Sequence, residues 1–147
     1  MFTVMIEILH IDDNASDRDL LCAALGQANP GVIYRGVADP LLAMAELADA
    51  ERLPALVVVD LALPLSTGAE VLRFLGRHKR LVKVPRAVLT GSLAESDLEE
   101  CRALGATRVY RKPAHFDGLL LIAGALVRMA QQSIGPGLSR DLEYKPG

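Results

Sequence analysis

The chain has 147 residues, of which 51% are hydrophobic and 4% aromatic, and its formal net charge at pH 7 is -2. This length suffices for one domain with an aliphatic core, and the lack of a dense basic block gives no support to nucleic-acid binding. No apolar run approaches the roughly 20 residues of a membrane span, and the N-terminus lacks signal-peptide features, so we expect a cytoplasmic protein. Cys22 and Cys101 match no metal or redox spacing and are interpreted as buried free thiols.

Apolar runs that are typical of buried strands alternate with stripes that are typical of amphipathic helices. In chain order we predict strand 4–11, helix 16–28, strand 32–37, helix 40–50, strand 55–59, helix 68–81, strand 86–89, helix 93–104, strand 107–110 and helix 115–132. Five strand–helix units predict an α/β fold with a doubly wound parallel sheet and helices on both faces. Residues 1–132 are expected to form this domain, and residues 133–147 a C-terminal tail with no output domain.

Polar side chains follow four of the five predicted strands. Asp12 and Asp13 follow the first strand, Asp60 follows the third, Thr90 ends the fourth and Lys112 follows the fifth. In folds of this kind, ligands bind outside the carboxyl ends of the strands, where the strand order reverses. If these strands are neighbours, the five side chains converge on one rim of the sheet.

The chemistry of this rim fits phosphoryl transfer. Three crowded carboxylates need a cation, and Mg²⁺ takes oxygen ligands while keeping positions for phosphate. A carboxylate beside a metal can attack a phosphoryl group, and Asp60 would then become an aspartyl phosphate. Lys112 and Thr90 offer an ammonium and a hydroxyl to the phosphoryl oxygens. Each residue alone is typical of a turn, a cap or a solvated charge, but all of them at the correct strand ends indicate a site.

The sequence resembles the receiver domains of response regulators in two-component signalling, over about residues 6–132. The matching positions are the acidic pair Asp12 and Asp13, the phosphoacceptor Asp60 with Pro64 and Gly68 after it, Thr90, and the pair Lys112 and Pro113. The resemblance implies a flavodoxin-like (βα)5 fold with strand order 2-1-3-4-5. It implies that Mg²⁺ is bound by Asp13, Asp60 and the backbone carbonyl of Ala62, with Asp12 assisting through water. It also implies that Thr90 and Lys112 contact the phosphoryl group and act as switch residues, and that Pro113 is a cis-proline.

The resemblance also implies a function. We expect a single-domain response regulator that accepts a phosphoryl group on Asp60 from a sensor histidine kinase, requires Mg²⁺, and signals to a downstream protein by direct contact. No enzymatic activity beyond self-catalysed phosphoryl transfer and dephosphorylation is expected. The stretch HIDDNASDRDLL and the region 77–85 resemble small regulators paired with bacterial phytochromes, which would make the kinase a bacteriophytochrome.

One position departs from the family pattern. The family places a switch aromatic three residues before the lysine, where this chain has Val109, and Tyr110 comes one position later. A shift of one residue along a strand turns a side chain to the opposite face. Either the coupling between Thr90 and the aromatic residue is altered, which we favour, or a local bulge restores it.

Two other function classes compete with a phosphorylated switch. The first is a phosphatase or transferase with an Asp nucleophile, but haloacid-dehalogenase-type phosphatases carry a second Asp two residues later, where this chain has Ala62. The second is a receiver-like binding module that works without phosphate. The complete set of five rim residues argues against that module.

The last helix predicts a homodimer interface. Its core stripe consists of Leu119, Ile122, Ala123, Leu126 and Ala130, whereas Leu120 and Leu121 fall off that stripe on a helical wheel. Two adjacent leucines outside the core stripe predict an apolar patch that something covers. A symmetric partner is the common cover, and the alternative is that the tail folds back over the patch.

Overall fold

The computed structural model of the protein describes residues 5–63, 67–91 and 94–143. Its elements, in chain order, are β1 (Ile6–Ile11), α1 (Ala15–Ala28), β2 (Val32–Val37), α2 (Pro40–Asp49), β3 (Leu56–Val59), α3 (Thr67–Arg77), β4 (Arg86–Thr90), α4 (Glu95–Ala103), β5 (Arg108–Arg111) and α5 (Phe116–Glu143). The strands form one parallel sheet in the order β2-β1-β3-β4-β5. The predicted fold class and strand order are therefore confirmed.

The sheet separates two apolar cores, as expected for strands with Val, Ile and Leu on both faces. One core lies under α1 and α5, where Ile8, Leu25 and Leu126 are fully buried. The other lies under α2, α3 and α4 and includes Val57 and Leu72. Because both faces are covered, the polar residues that follow the strands are confined to the rims of the sheet.

Local sequence signals account for three of the helix ends. Asn14 caps α1, because its side chain accepts a hydrogen bond from the Asp17 backbone N–H, and Asp39 caps α2 with Pro40 at the first helical position. Helix α4 is followed by Gly105, whose φ of 95° favours glycine. Helix α1 thus begins at Ala15, one residue before its predicted start.

Helix α3 ends at Arg77, four residues before the predicted end. The buried Arg86 side chain at the start of β4 explains the difference. Its guanidinium donates hydrogen bonds to the carbonyl oxygens of Leu81, Val82 and Val84, and so holds the segment before β4 as a turn. A guanidinium that donates to several carbonyls competes with continuation of the helix.

The last helix was predicted to end at residue 132, which is wrong, because α5 continues through residue 133 to Glu143. The Ser133 hydroxyl donates within the helix to the Ala130 carbonyl and, across the fold, to the Ala55 carbonyl, at 2.8 and 2.7 Å. Ile134 packs against the core under α1 and α5. These contacts extend the helix past the position at which we expected the glycine- and proline-rich stretch to end it.

The predicted patch on α5 is only half correct. Leu121 is 78% exposed, but Leu120 is partly buried against the core under α1 and α5. Helix α5 packs against α1 as well as the sheet, so its buried face is wider than a single stripe. Among the cysteines, Cys101 is buried as expected, whereas Cys22 is exposed.

No helix within the described ranges is long and apolar enough to cross a membrane. Pro64, which supports the family resemblance, lies outside the described residues, as do positions 92 and 93 at the predicted start of the fourth helix.

Candidate functional site

The structure brings Asp12, Asp13 and Asp60 together at the carboxyl ends of β1 and β3. Each offers one carboxylate oxygen, and these three oxygens all lie within 4.8 Å of one another. Asp12 and Asp60 are buried and Asp13 is exposed. The two strands are neighbours in the sheet, and this pairing places the aspartates on one rim.

Short backbone turns orient the two buried carboxylates. Asp12 Oδ1 accepts a hydrogen bond from the Asn14 backbone N–H, and Asp60 Oδ1 accepts one from the Ala62 backbone N–H, both at 3.0 Å. Aspartate side chains commonly form turns of this kind with the backbone two residues further on. They engage one oxygen of each carboxylate and leave the Oδ2 atoms directed to other partners.

The Oδ2 atoms of Asp12 and Asp60 both lie close to Lys112, which follows β5. Lys112 Nζ lies 3.0 Å from Asp12 Oδ2, 3.0 Å from Asp60 Oδ2 and 2.7 Å from Asp17 Oδ2. Burial opposes the charge of this ammonium, but its hydrogen bonds with Asp17, Asp60 and Asp12 outweigh burial and raise the pKa of Lys112 above its usual range. The side chain is therefore a cation throughout the physiological pH range.

Asp12 is a permanent anion in this environment. Burial alone would raise its pKa, but interactions with His10, the Asn14 backbone N–H and Lys112 outweigh burial and lower the pKa of Asp12 to about 2. The buried His10 ring reaches Asp12 with Nε2 and the Tyr34 hydroxyl with Nδ1, at 3.6 and 2.8 Å. A buried carboxylate that stays ionised is the form that a metal ion or an ammonium requires.

Thr90 ends β4 beside the lysine, and its side chain is buried. Its carbonyl oxygen accepts a hydrogen bond from the Lys112 backbone N–H at 2.8 Å. Gly68, in the first turn of α3, has a steric role at the same rim. A Cβ atom there would lie 2.5 Å from the Asp60 carbonyl oxygen, so only glycine permits this close approach of α3 to the end of β3.

The pairing of β4 with β5 bears on the missing switch aromatic. Val88 is paired with Val109 and Leu89 with Tyr110 in an uninterrupted register, so these residues form no bulge. Val109 packs against the core under α2, α3 and α4, whereas Tyr110 packs against the core under α1 and α5. The one-residue shift thus places the aromatic ring on the opposite face of the sheet.

The predicted cis peptide bond before Pro113 is wrong, because the described chain contains no cis peptide bond. The trans form is favoured intrinsically by about 0.5–1 kcal/mol. The proline ring also finds space beside Gly118, where a Cβ atom would lie 2.8 Å from Pro113 Cβ. Lys112 nevertheless reaches the carboxylates, so the trans bond is compatible with the site.

One residue of the site was missed in the sequence. Asp17 is the nearest carboxylate to Lys112, yet it lies in the first turn of α1, where an acidic residue is already explained by the helix dipole. Asp17 could have been predicted from the topology of the fold. A helix that follows β1 begins at the same rim as the residues that follow the strands.

The donor set fits a hard divalent cation. Three carboxylates with oxygens within 4.8 Å are the ligands that Mg²⁺ prefers, and Mg²⁺ keeps positions for water and phosphate. Lys112 supplies a neighbouring positive charge for a bound anion. The arrangement therefore offers oxygen ligands for a cation and a positive charge for an anion, with Asp60 next to both.

Comparisons with known proteins agree with this chemistry. A family model described as the response regulator receiver domain matches residues 8–123. The transcriptional regulatory protein GltR of Pseudomonas aeruginosa is 33% identical over 124 residues, which are 84% of this chain and 50% of that protein. The chain spans between 29% and 50% of the length of four curated relatives that it matches.

Two solved structures resemble the whole fold. The phosphorylated cyanobacterial phytochrome response regulator RcpA has a TM-score of 0.79 and 27% sequence identity, covering 88% of this chain and 96% of that one. The Mn²⁺-bound form of response regulator Rcp1 has a TM-score of 0.73 and 26% identity, covering 82% of this chain and 90% of that one.

Proposed function

This chain belongs to the response regulator receiver domain family, and we propose that it accepts a phosphoryl group on Asp60 and works as a signalling switch. One observation carries the proposal. A buried Asp60 carboxylate lies within 3.0 Å of the Lys112 ammonium and beside two further carboxylates. An anionic nucleophile next to a fixed cation and a metal-binding cluster is the arrangement that phosphoryl transfer requires.

In the proposed reaction, an Asp60 carboxylate oxygen attacks the phosphorus of a phosphohistidine or an acyl phosphate. A new P–O bond forms, and the bond from phosphorus to the donor breaks, with its electron pair leaving on the donor. Lys112 donates to a phosphoryl oxygen and offsets the added negative charge. Asp13, Asp60 and the Ala62 carbonyl would hold Mg²⁺ with help from Asp12 through water, and the bound ion would neutralise charge on the transferring group.

The partners belong to the same proposal. We propose a sensor histidine kinase as the donor, and similarity to the phytochrome response regulator RcpA supports a bacteriophytochrome. The downstream partner is a protein contacted directly, and the switch works in the cytoplasm, where such donors are phosphorylated. The similar regulator Rcp1 has a Mn²⁺-bound form, which supports a divalent cation at the carboxylate cluster.

Incubation with acetyl phosphate and intact-mass measurement tests the proposal. We expect the mass of one phosphoryl group with Mg²⁺, and none after chelation with EDTA. A phosphatase or transferase would instead turn over the donor without accumulating the adduct. A phosphate-independent binding module would show neither result, and either of these outcomes would contradict the proposal.

Phosphorylation is expected to be communicated through Thr90 to the surface of α4, β5 and α5. The phosphoryl charge would draw the Thr90 hydroxyl inward and bias a two-state loop. At equal extents of phosphorylation, replacing Thr90 by alanine should weaken phosphate-dependent association of the protein at least about tenfold, the value of one hydrogen bond to a charged group. Thr90→Ser, which keeps the hydroxyl, should behave as wild type. Unchanged association of Thr90→Ala would refute this route.

We also propose a homodimer that uses the exposed Leu121 on α5, with Leu120 contributing from its partly buried position. Replacing Leu121 by glutamate should weaken association at least about tenfold, because a charge would be buried in the interface. Leu41→Glu, at a leucine that is 63% exposed on α2, is the matched control and should leave association unchanged. Light scattering at tens of micromolar, with and without a phosphoryl analogue, measures both. A monomeric wild type under both conditions would exclude the dimer.

A further inference from the structure

Lys112 is surrounded by three carboxylates, and one of them, Asp17, has no part in the proposed reaction. Its Oδ2 atom lies 2.7 Å from Lys112 Nζ, closer than the 3.0 Å of Asp12 Oδ2 and Asp60 Oδ2. An ammonium has three N–H donors, and three carboxylate oxygens already lie within hydrogen-bond distance of them, one for each donor. A phosphoryl oxygen on Asp60 must therefore take a share of Lys112 from its present partners.

Asp17 contacts Lys112 and lies outside the carboxylate cluster that could hold a metal ion. The carboxylate cluster found among the described residues joins Asp12, Asp13 and Asp60 but not Asp17. The position of Asp17 is fixed by α1, because its backbone N–H donates to the capping Asn14 side chain at 3.0 Å. The first turn thus anchors the backbone of Asp17, and its carboxylate reaches Lys112 from α1.

Lys112 also has room to shift between its partners. A cavity of about 50 Å³ between α1 and α5 is lined by Asp17 and Lys112 together with apolar residues such as Leu20 and Leu119. Because the Lys112 side chain is 20% exposed and that of Asp17 is 32% exposed, neither group is immobilised by tight packing. The Lys112 ammonium can therefore move closer to either Asp17 or Asp60.

We propose that Asp17 is a positioning residue that sets how closely the Lys112 ammonium approaches the Asp60 carboxylate; this inference rests on the proposed function. By attracting Lys112, Asp17 leaves Asp12 and Asp60 less neutralised, which favours a divalent cation. The same attraction weakens the hold of Lys112 on a phosphoryl oxygen. Removal of the Asp17 charge therefore has opposite effects on the two ligands of the site, which a merely structural role would not produce.

The test uses two titrations of the full chain by calorimetry. The first measures Mg²⁺ binding, and the second measures binding of beryllium trifluoride, a phosphoryl analogue, at saturating Mg²⁺. For Asp17→Asn we expect the Mg²⁺ Kd to rise about threefold to tenfold and the analogue Kd to fall by a similar factor, the range for one partly exposed ion pair. Asp17→Glu should remain near wild type because it keeps the carboxylate.

Asp19→Asn is the matched control, because it removes the same charge from an exposed position on α1 and should leave both titrations unchanged. Shifts of both ligands in the same direction, or no shift in either, would overturn the role of Asp17. Failure of the proposed function would appear instead as a wild type without covalent labelling by acetyl phosphate. The Mg²⁺ titration involves no bond to the phosphoryl group, so it still tests the role of Asp17 in that case, and an unchanged Mg²⁺ Kd in Asp17→Asn would overturn that role.

Discussion

Replacing Asp13 by alanine is expected to slow labelling by acetyl phosphate at least about 100-fold at millimolar Mg²⁺, because a metal ligand supplies several kcal/mol of transition-state stabilisation. Asp13 is the exposed member of the carboxylate cluster, so its removal should leave the fold intact. The loss should be partly restored by raising the Mg²⁺ concentration, since the remaining carboxylates of Asp12 and Asp60 still bind the ion weakly.

Asp49→Ala provides the control, because it removes an exposed carboxylate at the end of α2. It should label at the wild-type rate. Initial rates from intact mass, together with a Mg²⁺ titration of each variant, measure the effect. Labelling of Asp13→Ala at the wild-type rate and with the wild-type Mg²⁺ dependence would show that Asp13 is not a metal ligand.

Replacing Lys112 by methionine is expected to lower the free energy of unfolding by about 3 kcal/mol near neutral pH without Mg²⁺. The substitution leaves the buried carboxylates of Asp12 and Asp60 without their cation, and an unpaired buried charge carries a cost of this size. Mg²⁺ should restore more stability to this variant than to the wild type, because the added cation replaces the missing ammonium. Lys79→Met, at an exposed lysine, should be nearly neutral.

Replacing Lys112 by methionine should also change how the free energy of unfolding depends on pH. In the wild type the pKa of Asp12 is lowered from 3.8 to about 2, so its contribution is present above pH 3.8 and is lost as the pH falls through about 2. Without Lys112, burial of the Asp12 carboxylate is opposed less, and the pKa of Asp12 should rise above 3.8. The protonated form of Asp12 then stabilises the fold at low pH, and this contribution is lost as the pH rises through the raised pKa.

Urea unfolding of both proteins between pH 4 and pH 8 measures these effects. We expect the difference in unfolding free energy between wild type and Lys112→Met to be largest at neutral pH and to shrink toward pH 4. Equal stability at pH 7, or parallel profiles over the whole range, would mean that Lys112 does not compensate the charge of Asp12 and Asp60.

The rim of the sheet was predictable because parallel strands deliver the residues that follow them to one edge. Asp12, Asp60 and Lys112 are far apart in the chain but follow β1, β3 and β5, three parallel strands whose carboxyl ends lie along one edge of the sheet. The register of β4 with β5 likewise confirms that Val109 and Tyr110 face opposite sides without a bulge. These features depend only on strand order and the two-residue period of a strand.

Other features depend on contacts that a linear pattern does not contain. The carboxylate of Asp17 reaches Lys112 across 95 positions of sequence, and in the sequence it matches an ordinary first-turn acid. Leu120 is partly buried because α5 packs on α1 as well as on the sheet, which widens its buried face. Helix α5 continues past Ser133, whose hydroxyl donates to the Ala55 carbonyl, a contact between distant segments.

Chemical location of the phosphoryl group tests the central claim most directly. Protein labelled with acetyl phosphate and Mg²⁺ is treated with borohydride, which reduces an acyl phosphate to the alcohol, and then analysed by peptide mass mapping. We predict conversion of the side chain at position 60 alone, and no conversion in Asp60→Asn. Reduction at Asp12, Asp13 or Asp17 instead, or labelling that persists in Asp60→Asn, would contradict the assignment of Asp60 as the phosphoacceptor.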